Sequence, residues 1–531
     1  MNCNTTQLPY VATGYFSKIV TDYLQQSPSI RPFYQHEPTL QGVQEAIRQR
    51  QQLPQHREAL VTALKQQYAG LATHEAVNRN INLLANSNTF TITTAHQPAI
   101  FTGHLYFVYK TLHAVRLAQQ LKQELPQYDF VPVFWIGSED ADLDELGNIW
   151  LSGDKLVWNT QQTGAVGRMN TKGLEPILHR IEGELSVLPH GKELVALLKD
   201  CYTNSPDIQT ATFKLLNALF GEYGLVVLLP DNAELKRIML PVFEDDLFHQ
   251  TASGIVEQTI KGLSEQYKVQ ANPRAINLFY LEGGIRERIE KQGDEWVVVG
   301  QDIRFTAETL KKELHDHPER FSPNVILRGI YQETLLPNIA FIGGGGETAY
   351  WLELKDLLHH YKVSFPVLVI RNSFLLIEEK WEEKIQKMNF SIADFFQTEQ
   401  QLLTQLVTRQ SNGHLKLEQE LQAAEELYKR LREKAGHVDE TLVPHIEALE
   451  VKTLKPLQEL EKKMLRAEKK KYEQEQIQIN AIKTALFPTG GLQERVENFM
   501  PYYAQYGKDF IRCILNASLA LEQEFVIIHQ Q

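Results

Sequence analysis

The sequence predicts an α/β protein built on a doubly wound parallel sheet, with a long helical hairpin towards its C-terminal end. The first observation is that short apolar runs alternate with amphipathic helical stretches from about residue 90. Strands buried on both faces read as continuous apolar runs, and their alternation with helices is typical of parallel sheets. The second observation is a change of composition at about residue 391, after which Gln, Glu, Lys, Leu and Ala dominate to about residue 485.

The apolar runs define the expected strands, and the stretches between them define four regions of the chain. The predicted strands are TFTITTA (89–95), DFVPVFWIG (129–137), GLVVLLP (224–230), PNVILRGI (323–330), NIAFI (338–342) and FPVLVIR (365–371), with Leu105–Leu121 as the first crossover helix. We expect a helical segment over 1–85, a core over 86–390 with insertions at about 150–215 and 260–320, a hairpin over 391–485 and a segment over 486–531 that returns to the core. Within the second insertion, turns at Gly283–Gly284 and Gly293 predict short antiparallel strands.

Two apolar patterns predict that the hairpin is an antiparallel coiled coil. Leu417, Leu421, Ala424, Tyr428 and Leu431 follow a heptad seam, and Leu457, Leu460, Met464 and Ala467 form a second one. Between the seams, Gly436 is a candidate C-terminal cap and Pro444 suits a first helical turn. Because two helices bury little apolar surface alone, docking on a second subunit is favoured over a solvated arm without a partner.

Composition and charge exclude several classes of protein. The 531-residue chain is too long for one compact core, and its net charge of −12 with a pI near 5.8 argues against diffuse binding to nucleic acid or anionic membranes. No apolar run approaches the roughly 18 residues of a membrane span, and no secretory signal is visible. Cys3, Cys201 and Cys513 lie far apart, so neither a thiolate zinc site nor disulfides are expected. A cytoplasmic protein fits these features best.

The first candidate site follows the first predicted strand. There His96 and Gln97 occupy a polar turn, and Thr102–Gly103–His104 opens a helix. Ligands of open α/β sheets bind at the C-terminal ends of strands, and helix N-termini offer free N–H groups to anions. A glycine at that point lets the backbone approach a phosphate, and an imidazole can donate to its developing charge. A turn followed by a capping histidine is the plainer interpretation of the same residues.

The second candidate is an acidic cluster directly after the strand DFVPVFW. Its members are Glu139, Asp140, Asp142, Asp144 and Glu145, which could hold a metal or a substrate amine. A calcium loop of the EF-hand type is excluded because the position that needs glycine carries Glu145 and the position that needs glutamate carries Leu151. Acids favoured by a helix dipole are the alternative explanation for about half of the cluster.

The third candidate is a run of four glycines, Gly343–Gly346, between the strand NIAFI and a helix that Glu347 opens. This pattern places bare backbone at a helix N-terminus. Neither a strict dinucleotide fingerprint nor a Walker loop is present, so either a ligand or a neighbouring helix could lie against the glycines. Arg328, Gln332 and Glu333 lie upstream, and Arg371 follows the strand FPVLVI. The sequence contains no GxSxG or HExxH motif, and no metal dependence is predicted.

Five stretches, in this order, resemble one known family, the bacillithiol-biosynthesis cysteine-adding enzymes (BshC). They are HQPAIFTGHLYFVYKT (96–111), VPVFWIGSEDADLDEL (131–146), LLPNIAFIGGGGETAYWLELK (335–355), LEKKMLRAEKKK (460–471) and LFPTGGLQERVENFMPYYAQYG (486–507). The resemblance implies a Rossmann-like core related to class I nucleotidyltransferases, connecting insertions, and a coiled coil that makes a homodimer. It further implies a ligase that joins the carboxyl of cysteine to the amine of glucosaminyl-malate. One departure is that Phe101 stands where the related HxGH signature has its first histidine.

The resemblance and the chemistry of amide formation together assign roles to residues. Catalysis is assigned to His96, His104 and Glu347, substrate binding to Gln97, Asp140, Arg328, Gln332, Tyr350, Trp351 and Arg371, and nucleotide binding to Gly103, Gly343, Gly344, Gly345, Gly346 and Arg495. ATP or ADP is the expected co-substrate, Mg2+ is a candidate and zinc is not expected. Cysteine and glucosaminyl-malate are the expected small-molecule substrates, with a second copy of the chain as the partner. The alternatives are a nucleotidyltransferase that activates another small carboxylate and a non-catalytic, nucleotide-binding coiled-coil scaffold.

Overall fold

The structure is a computed structural model that describes residues 3–411 and 416–530. Residues 412–415, which fall within the expected hairpin region, lie outside the described residues. The strands of the described residues are β1 Cys3–Pro9, β2 Thr89–His96, β3 Asp129–Ile136, β4 Asn148–Leu151, β5 Asp154–Val157, β6 Val226–Leu228, β7 Leu278–Glu282, β8 Ile285–Gln292, β9 Glu295–Val298, β10 Arg304–Phe305, β11 Phe321–Pro323, β12 Asn338–Gly343, β13 Val367–Ile370, β14 Phe374–Glu378 and β15 Glu524–Gln530.

The α-helices take up much of the remaining described chain. They are α1 Tyr10–Thr13, α2 Lys18–Leu24, α3 Leu40–Gln51, α4 Arg57–Gln67, α5 Glu75–Leu83, α6 Leu105–Glu124, α7 Leu143–Leu146, α8 Glu175–Leu185, α9 Gly191–Thr203, α10 Ile208–Phe220, α11 Ala233–Arg237, α12 Leu240–Phe248, α13 Thr251–Leu263, α14 Ala307–Asp316, α15 Val325–Leu335, α16 Gly345–Leu352, α17 Lys355–His360, α18 Glu379–Lys387, α19 Glu399–Gln410, α20 Glu418–Val438, α21 Val443–Lys469, α22 Glu473–Leu486, α23 Met500–Tyr506 and α24 Lys508–Ala517. None of the described helices is long and apolar enough to cross a membrane.

The central sheet confirms the predicted Rossmann-like, doubly wound core. Its five strands are all parallel and run in the order β13-β12-β2-β3-β6. Strands β3 and β6 are thus added on one side of β2, and β12 and β13 on the other, so the strand order reverses between β2 and β12. Folds of this kind bind ligands at such a point, in the crevice beyond the carboxyl ends of the strands. Every residue of β2 is buried except its last, His96, which is half-buried. That burial explains why the strand reads as a run without polar alternation.

The largest departure from the predicted strands is the segment 323–330, which was expected to be a strand. Only Phe321–Pro323 is extended, and Val325–Leu335 forms helix α15. The side chain of Asn324 decides this outcome, because its Oδ1 accepts from the backbone N–H groups of Ile326 and Leu327 and so caps the helix. A short apolar run cannot be assigned to a strand or a buried helix by periodicity alone.

The N-terminal region is not wholly helical, which corrects the prediction for residues 1–85. Strand β1 pairs antiparallel with β15, the predicted C-terminal strand, and β14 completes this three-stranded sheet. The same pairing brings Cys3 close to helix α24, where Cys3 and Cys513 form a disulfide. The expectation that the chain has no disulfide is therefore wrong. A separation of 510 residues concealed the pair, because only the pairing of the two terminal strands brings the two cysteines together.

The two insertions differ in their secondary structure, and the antiparallel strands predicted for the second are present. The first begins with the hairpin β4–β5 and continues into helices α8, α9 and α10. The second contains an antiparallel sheet in the order β10-β9-β8-β7-β11, whose hairpins turn at Gly283–Gly284 and Gly293 as predicted. This second sheet matters for function because β8 contributes Arg286 to the cavity described below.

The chain divides into two compact units, and the second comprises Ala12–Gly14 and Ile377–Gly490. Within this unit α20 and α21 fold back on each other as the predicted antiparallel hairpin, with Tyr428 Oη 2.6 Å from Thr453 Oγ1. Pro444 lies in the first turn of α21 as expected, whereas Gly436 lies inside α20 rather than after it. Leu431 and Leu460, assigned to the seams, are 38% and 47% exposed, and no described residue of either helix is fully buried.

Candidate active site

A cavity of about 390 Å3 opens where the parallel strands of the first unit end. The carboxyl ends of β2, β3, β12 and β13 supply its floor, and β8 and the start of α15 supply one side. Its volume falls within the range of small-molecule sites. The lining residues are Ala95, His96, Gln97, Tyr106, Trp135, Gly137, Ser138, Glu139, Asp140, Glu145, Pro230, Arg286, Pro323, Asn324, Val325, Arg328, Tyr331, Gly344, Gly345, Gly346, Glu347, Tyr350, Arg371 and Arg495.

The glycine run supplies one wall of the cavity through the N-terminus of α16. A Cβ on Gly345 would come within 2.8 Å of Val20 Cγ2, and one on Gly343 would come within 2.8 Å of Phe341. These two glycines are therefore required by packing against neighbouring side chains. Gly344 and Gly346 have more space around them, with Arg371 Nε 3.4 Å from the position of a Cβ on Gly344. The first turn of α16 thus offers unpaired N–H groups to the cavity beside a guanidinium.

His96 is held as a neutral imidazole with both ring nitrogens engaged. Its Nδ1 lies 2.9 Å from the carbonyl oxygen of Gln97, so this nitrogen carries the proton and donates. Its Nε2 then accepts from the hydroxyl of Tyr106 at 3.0 Å. Burial and the nearby charge of Lys110 lower the pKa of His96 to about 4. The histidine therefore fixes the position of the Tyr106 hydroxyl at neutral pH.

A buried ion pair lies beneath the glycine wall. Lys110, fully buried on α6, donates to Glu347 Oε2 at 2.7 Å and to the carbonyl oxygen of Ala95 at 2.5 Å. The same carboxylate oxygen accepts from the backbone N–H of Gly344 at 2.8 Å. Burial raises the pKa of Glu347, but the charge and hydrogen bond of Lys110 outweigh it, so the pKa lies below its usual value. Glu347 is thus a carboxylate that ties α6 to the start of α16.

Four arginines approach the cavity, and three of them make no ion pair with a described residue. Arg371 is the exception, because its Nη2 donates to the buried Glu494 at 2.7 Å while its guanidinium lies over the ring of Tyr106. Arg328 donates to Tyr350 and to Gln332, and Arg286 donates to Ser322 and lies over the Phe279 ring. Arg495 is exposed, and its guanidinium makes no hydrogen bond with a described residue. The cavity therefore holds three guanidinium groups that form no salt bridge with a described carboxylate.

One side of the cavity is acidic, and Arg286 lies near enough to interact electrostatically with Asp140 and Glu139. Gln97 Nε2 donates to Asp140 Oδ2 at 3.1 Å, which holds that carboxylate towards the end of β2. Glu139 accepts from Lys236, a lysine that is fully buried and also lies 3.3 Å from Asp231. Glu145 completes this side from the short helix α7. Among the described residues, no three histidine, cysteine, aspartate or glutamate side chains form a group that could hold a metal ion.

The structure brings most of the predicted site residues together and leaves five outside the cavity lining. Those that line it are His96, Gln97, Asp140, Arg328, Gly344, Gly345, Gly346, Glu347, Tyr350, Arg371 and Arg495. Those outside the lining are Gly103, His104, Gln332, Trp351 and Gly343. Gly103 accepts from Asn498, and His104 lies 3.2 Å from the carbonyl oxygen of Val496, so this turn packs on the C-terminal segment. Phe101, in the place of the first histidine of the HxGH signature, is fully buried.

Sequence reasoning missed several charged residues of the site. Lys110 stands in an apolar helical stretch, a pattern that marks a buried, paired charge and could have identified it, whereas Lys236 stands between Glu234 and Arg237 and gives no such signal. Glu139 was seen only as one member of the acidic cluster. Arg286 could not have been found, because it lies on a polar strand of an insertion and reaches the cavity only through the packing of the second sheet.

The chain is similar to known proteins over nearly its whole length. Residues 1–372 match the profile of the N-terminal Rossmann-like domain of the bacillithiol-biosynthesis protein BshC, and residues 374–530 match its C-terminal coiled-coil domain. Proteins named "Putative cysteine ligase BshC" are 39% identical in Flavobacterium johnsoniae, over 99% of both chains, and 40% identical in Cytophaga hutchinsonii, over 92% of both. The corresponding protein of Chlorobaculum tepidum is 32% identical over 86% of this chain and 85% of its own.

Proposed function

The chain belongs to the BshC family of bacillithiol biosynthesis, and from that premise we propose that it is a ligase that joins two small molecules through an amide bond. The proposed substrates are L-cysteine, which supplies its carboxyl group, and glucosaminyl-malate, which supplies the amine of its sugar. The product is bacillithiol, and a nucleoside triphosphate supplies the activation that a free carboxylate needs. The relatives that are named as putative cysteine ligases support the class of reaction, and the charged residues of the cavity support the choice of substrates.

The observation that carries this proposal is that one cavity holds both carboxylates and guanidinium groups. Asp140, Glu139 and Glu145 line it, and Arg286 and Arg328 supply guanidinium groups that form no salt bridge with a described residue. Cysteine carries an ammonium group, and glucosaminyl-malate carries two carboxylates. Arginine binds carboxylates through paired hydrogen bonds, so an anionic substrate would satisfy the charge that the protein leaves unpaired.

The residues present fit the nucleotide at the glycine wall. The first turn of α16 offers N–H groups at Gly345 and Gly346, since the N–H of Gly344 already donates to Glu347, and the exposed guanidinium of Arg495 lines the same cavity. When bound, the nucleotide would supply a leaving group for the cysteine carboxyl. The chain's own residues bind and orient: the N–H groups and Arg495 hold phosphate oxygens, and the ion pair of Lys110 with Glu347 keeps α16 in position. No step is assigned to a metal.

The two substrates would bind to different charged residues of the cavity. Asp140, oriented by Gln97, is the proposed partner of the cysteine ammonium group. Arg328 and Arg286 are the proposed partners of the malate carboxylates, while Arg371 is already paired with Glu494 and serves to hold Tyr106. His96 accepts from Tyr106 and so positions its hydroxyl towards the cavity. This arrangement would bring the cysteine carboxyl and the sugar amine together within one cavity.

The helical hairpin is proposed to dock on the hairpin of a second copy of the chain. No described residue of α20 or α21 is fully buried, and Leu427, Leu431, Leu449 and Leu460 are between 37% and 47% exposed. Exposed leucines along a long amphipathic hairpin are typical of a surface that a partner helix covers.

The substrate assignment is tested by two arginines of the same strand. Arg286→Gln removes a cavity guanidinium, whereas Arg288→Gln removes one that lies outside the cavity and pairs with Glu290. We expect Arg286→Gln to raise the KM for glucosaminyl-malate by about tenfold to hundredfold, the value of a charged hydrogen bond, with the KM for cysteine unchanged. Arg288→Gln should form bacillithiol as the wild type does. Equal KM values in all three proteins would contradict the assignment.

A further inference from the structure

Amide formation requires a group that takes a proton from the attacking amine, and the three residues first assigned to catalysis are poorly placed for that task. His104 does not line the cavity. Both ring nitrogens of His96 are engaged, Nδ1 with the carbonyl oxygen of Gln97 and Nε2 with the hydroxyl of Tyr106. Glu347 accepts from Lys110 and from the N–H of Gly344 through its Oε2, and the charge of Lys110 holds its pKa below the usual value, which makes its carboxylate a weak proton acceptor. Another residue of the cavity is therefore better suited to accept the proton.

Glu139 meets the geometric requirement. It follows the carboxyl end of β3 and lines the cavity, with a side chain that is 11% exposed. Its Oε1 accepts from Lys236, whose ammonium is fully buried and is shared with Asp231. Its Oε2 accepts no hydrogen bond from the described residues, so one oxygen of the carboxylate remains available. Lys236 thus fixes the carboxylate through one oxygen and leaves the other free to receive a proton.

The electrostatic surroundings of Glu139 keep the carboxyl able to hold a proton. Burial is the largest influence and raises its pKa, the charge of Asp231 raises it further, and the charges of Lys236 and Arg286 lower it, with a net shift above the usual value. The other groups that interact electrostatically with it are Arg168 and Tyr331. A base whose pKa lies nearer to the operating pH is more effective in general base catalysis than an ordinary exposed carboxylate.

Taking the proposed function as given, we propose that Glu139 is the catalytic base that accepts the proton of the sugar amine, and that Lys236 is its positioning residue. In the step, the amine nitrogen forms a bond to the carbonyl carbon of cysteine. The bond from that carbon to the oxygen of the nucleotide-derived leaving group breaks, and the leaving group departs with the electron pair. The proton of the amine passes to Glu139 Oε2, which returns it to solvent before the next turnover.

The experiment compares Glu139→Gln with Glu234→Gln in the full chain. Glu234 lies on the helix that carries Lys236, but its side chain is 74% exposed and outside the cavity. At neutral pH we expect Glu139→Gln to lower kcat by about 100-fold or more, the usual contribution of a general base, with the KM for cysteine unchanged. The glutamine side chain can still accept a hydrogen bond from Lys236, so the melting temperature of the Glu139→Gln variant should match that of the wild type. Glu234→Gln should behave as the wild type does.

The pH profile separates a base from a merely structural residue. The wild-type kcat should fall at acid pH as Glu139 is protonated, and Glu139→Gln should lose this limb and recover part of its rate at high pH, where the free amine is neutral. If Glu139→Gln does not fold, Glu139→Asp should keep the limb at a reduced rate. A uniform loss at every pH, or a larger loss in Glu145→Gln, would overturn the proposal. If the wild type forms no product, the proposed function itself fails rather than this assignment.

Discussion

Replacing Lys110 by methionine tests whether the buried ion pair with Glu347 maintains the fold of the site. Lys110 is fully buried and donates two hydrogen bonds, and the Glu347 side chain is 26% exposed. Methionine fills a similar volume but leaves the Glu347 carboxylate without its counter-charge and the Ala95 carbonyl without its donor. Removing one partner of a buried ion pair lowers the free energy of unfolding by about 3–5 kcal/mol. A lysine of the same helix, Lys122, is 49% exposed and pairs with Asp129 on the surface, where such pairs contribute about 0–1 kcal/mol.

The assay is chemical denaturation of Lys110→Met, Lys122→Met and the wild type, with the first unfolding transition followed by fluorescence. Because the pKa of Glu347 is depressed in the folded protein, its contribution to stability is present above its unfolded pKa and is lost as the pH falls through the folded one. The destabilisation of Lys110→Met should therefore be largest at neutral pH and shrink below about pH 4. The double variant Lys110→Met/Glu347→Gln should recover the greater part of the loss. A cost of less than about 1 kcal/mol, or a cost that does not change with pH, would refute the reasoning.

Two further predictions concern the disulfide and the hairpin. Of the three cysteines, Cys201 is free and buried. Denatured but unreduced wild-type protein should therefore react with one equivalent of a thiol reagent, and the Cys3→Ser variant with two. Three equivalents for the wild type would show that Cys3 and Cys513 are not bonded. Deletion of residues 391–485 should convert a dimer into a monomer in light scattering, and a dimer that persists would place the interface elsewhere.

The parallel sheet could be predicted from the sequence because its strands are buried on both faces. The runs at β2, β3, β6, β12 and β13 are all strands, as expected. The same signal failed at 323–330, where an equally apolar run became α15 because Asn324 caps a helix there. It also failed at β1, a largely exposed strand whose partner lies at the opposite end of the chain.

The site residues that could be predicted from the sequence are those that follow the carboxyl end of a strand in the parallel sheet. The ends of adjacent parallel strands meet at one edge, which is why His96, Asp140, Gly344 and Arg371 line one cavity. What could not be predicted is how charges pair across elements. The sequence does not reveal that Lys110 pairs with Glu347, or that Lys236 pairs with Glu139, because these ion pairs join residues about 100 to 240 positions apart. The assignment of the proton acceptor depends on this pairing and not on residue type.

The proposed formation of an amide between cysteine and an amino sugar in this cavity can be tested directly. The assay is mass spectrometry of purified full-length protein with cysteine, glucosaminyl-malate, ATP and magnesium, in which each component is omitted in turn. We expect bacillithiol to appear only in the complete mixture and the Arg288→Gln protein to form it as well. Absence of bacillithiol from the complete mixture, with protein that is folded and binds both substrates, would contradict the claim.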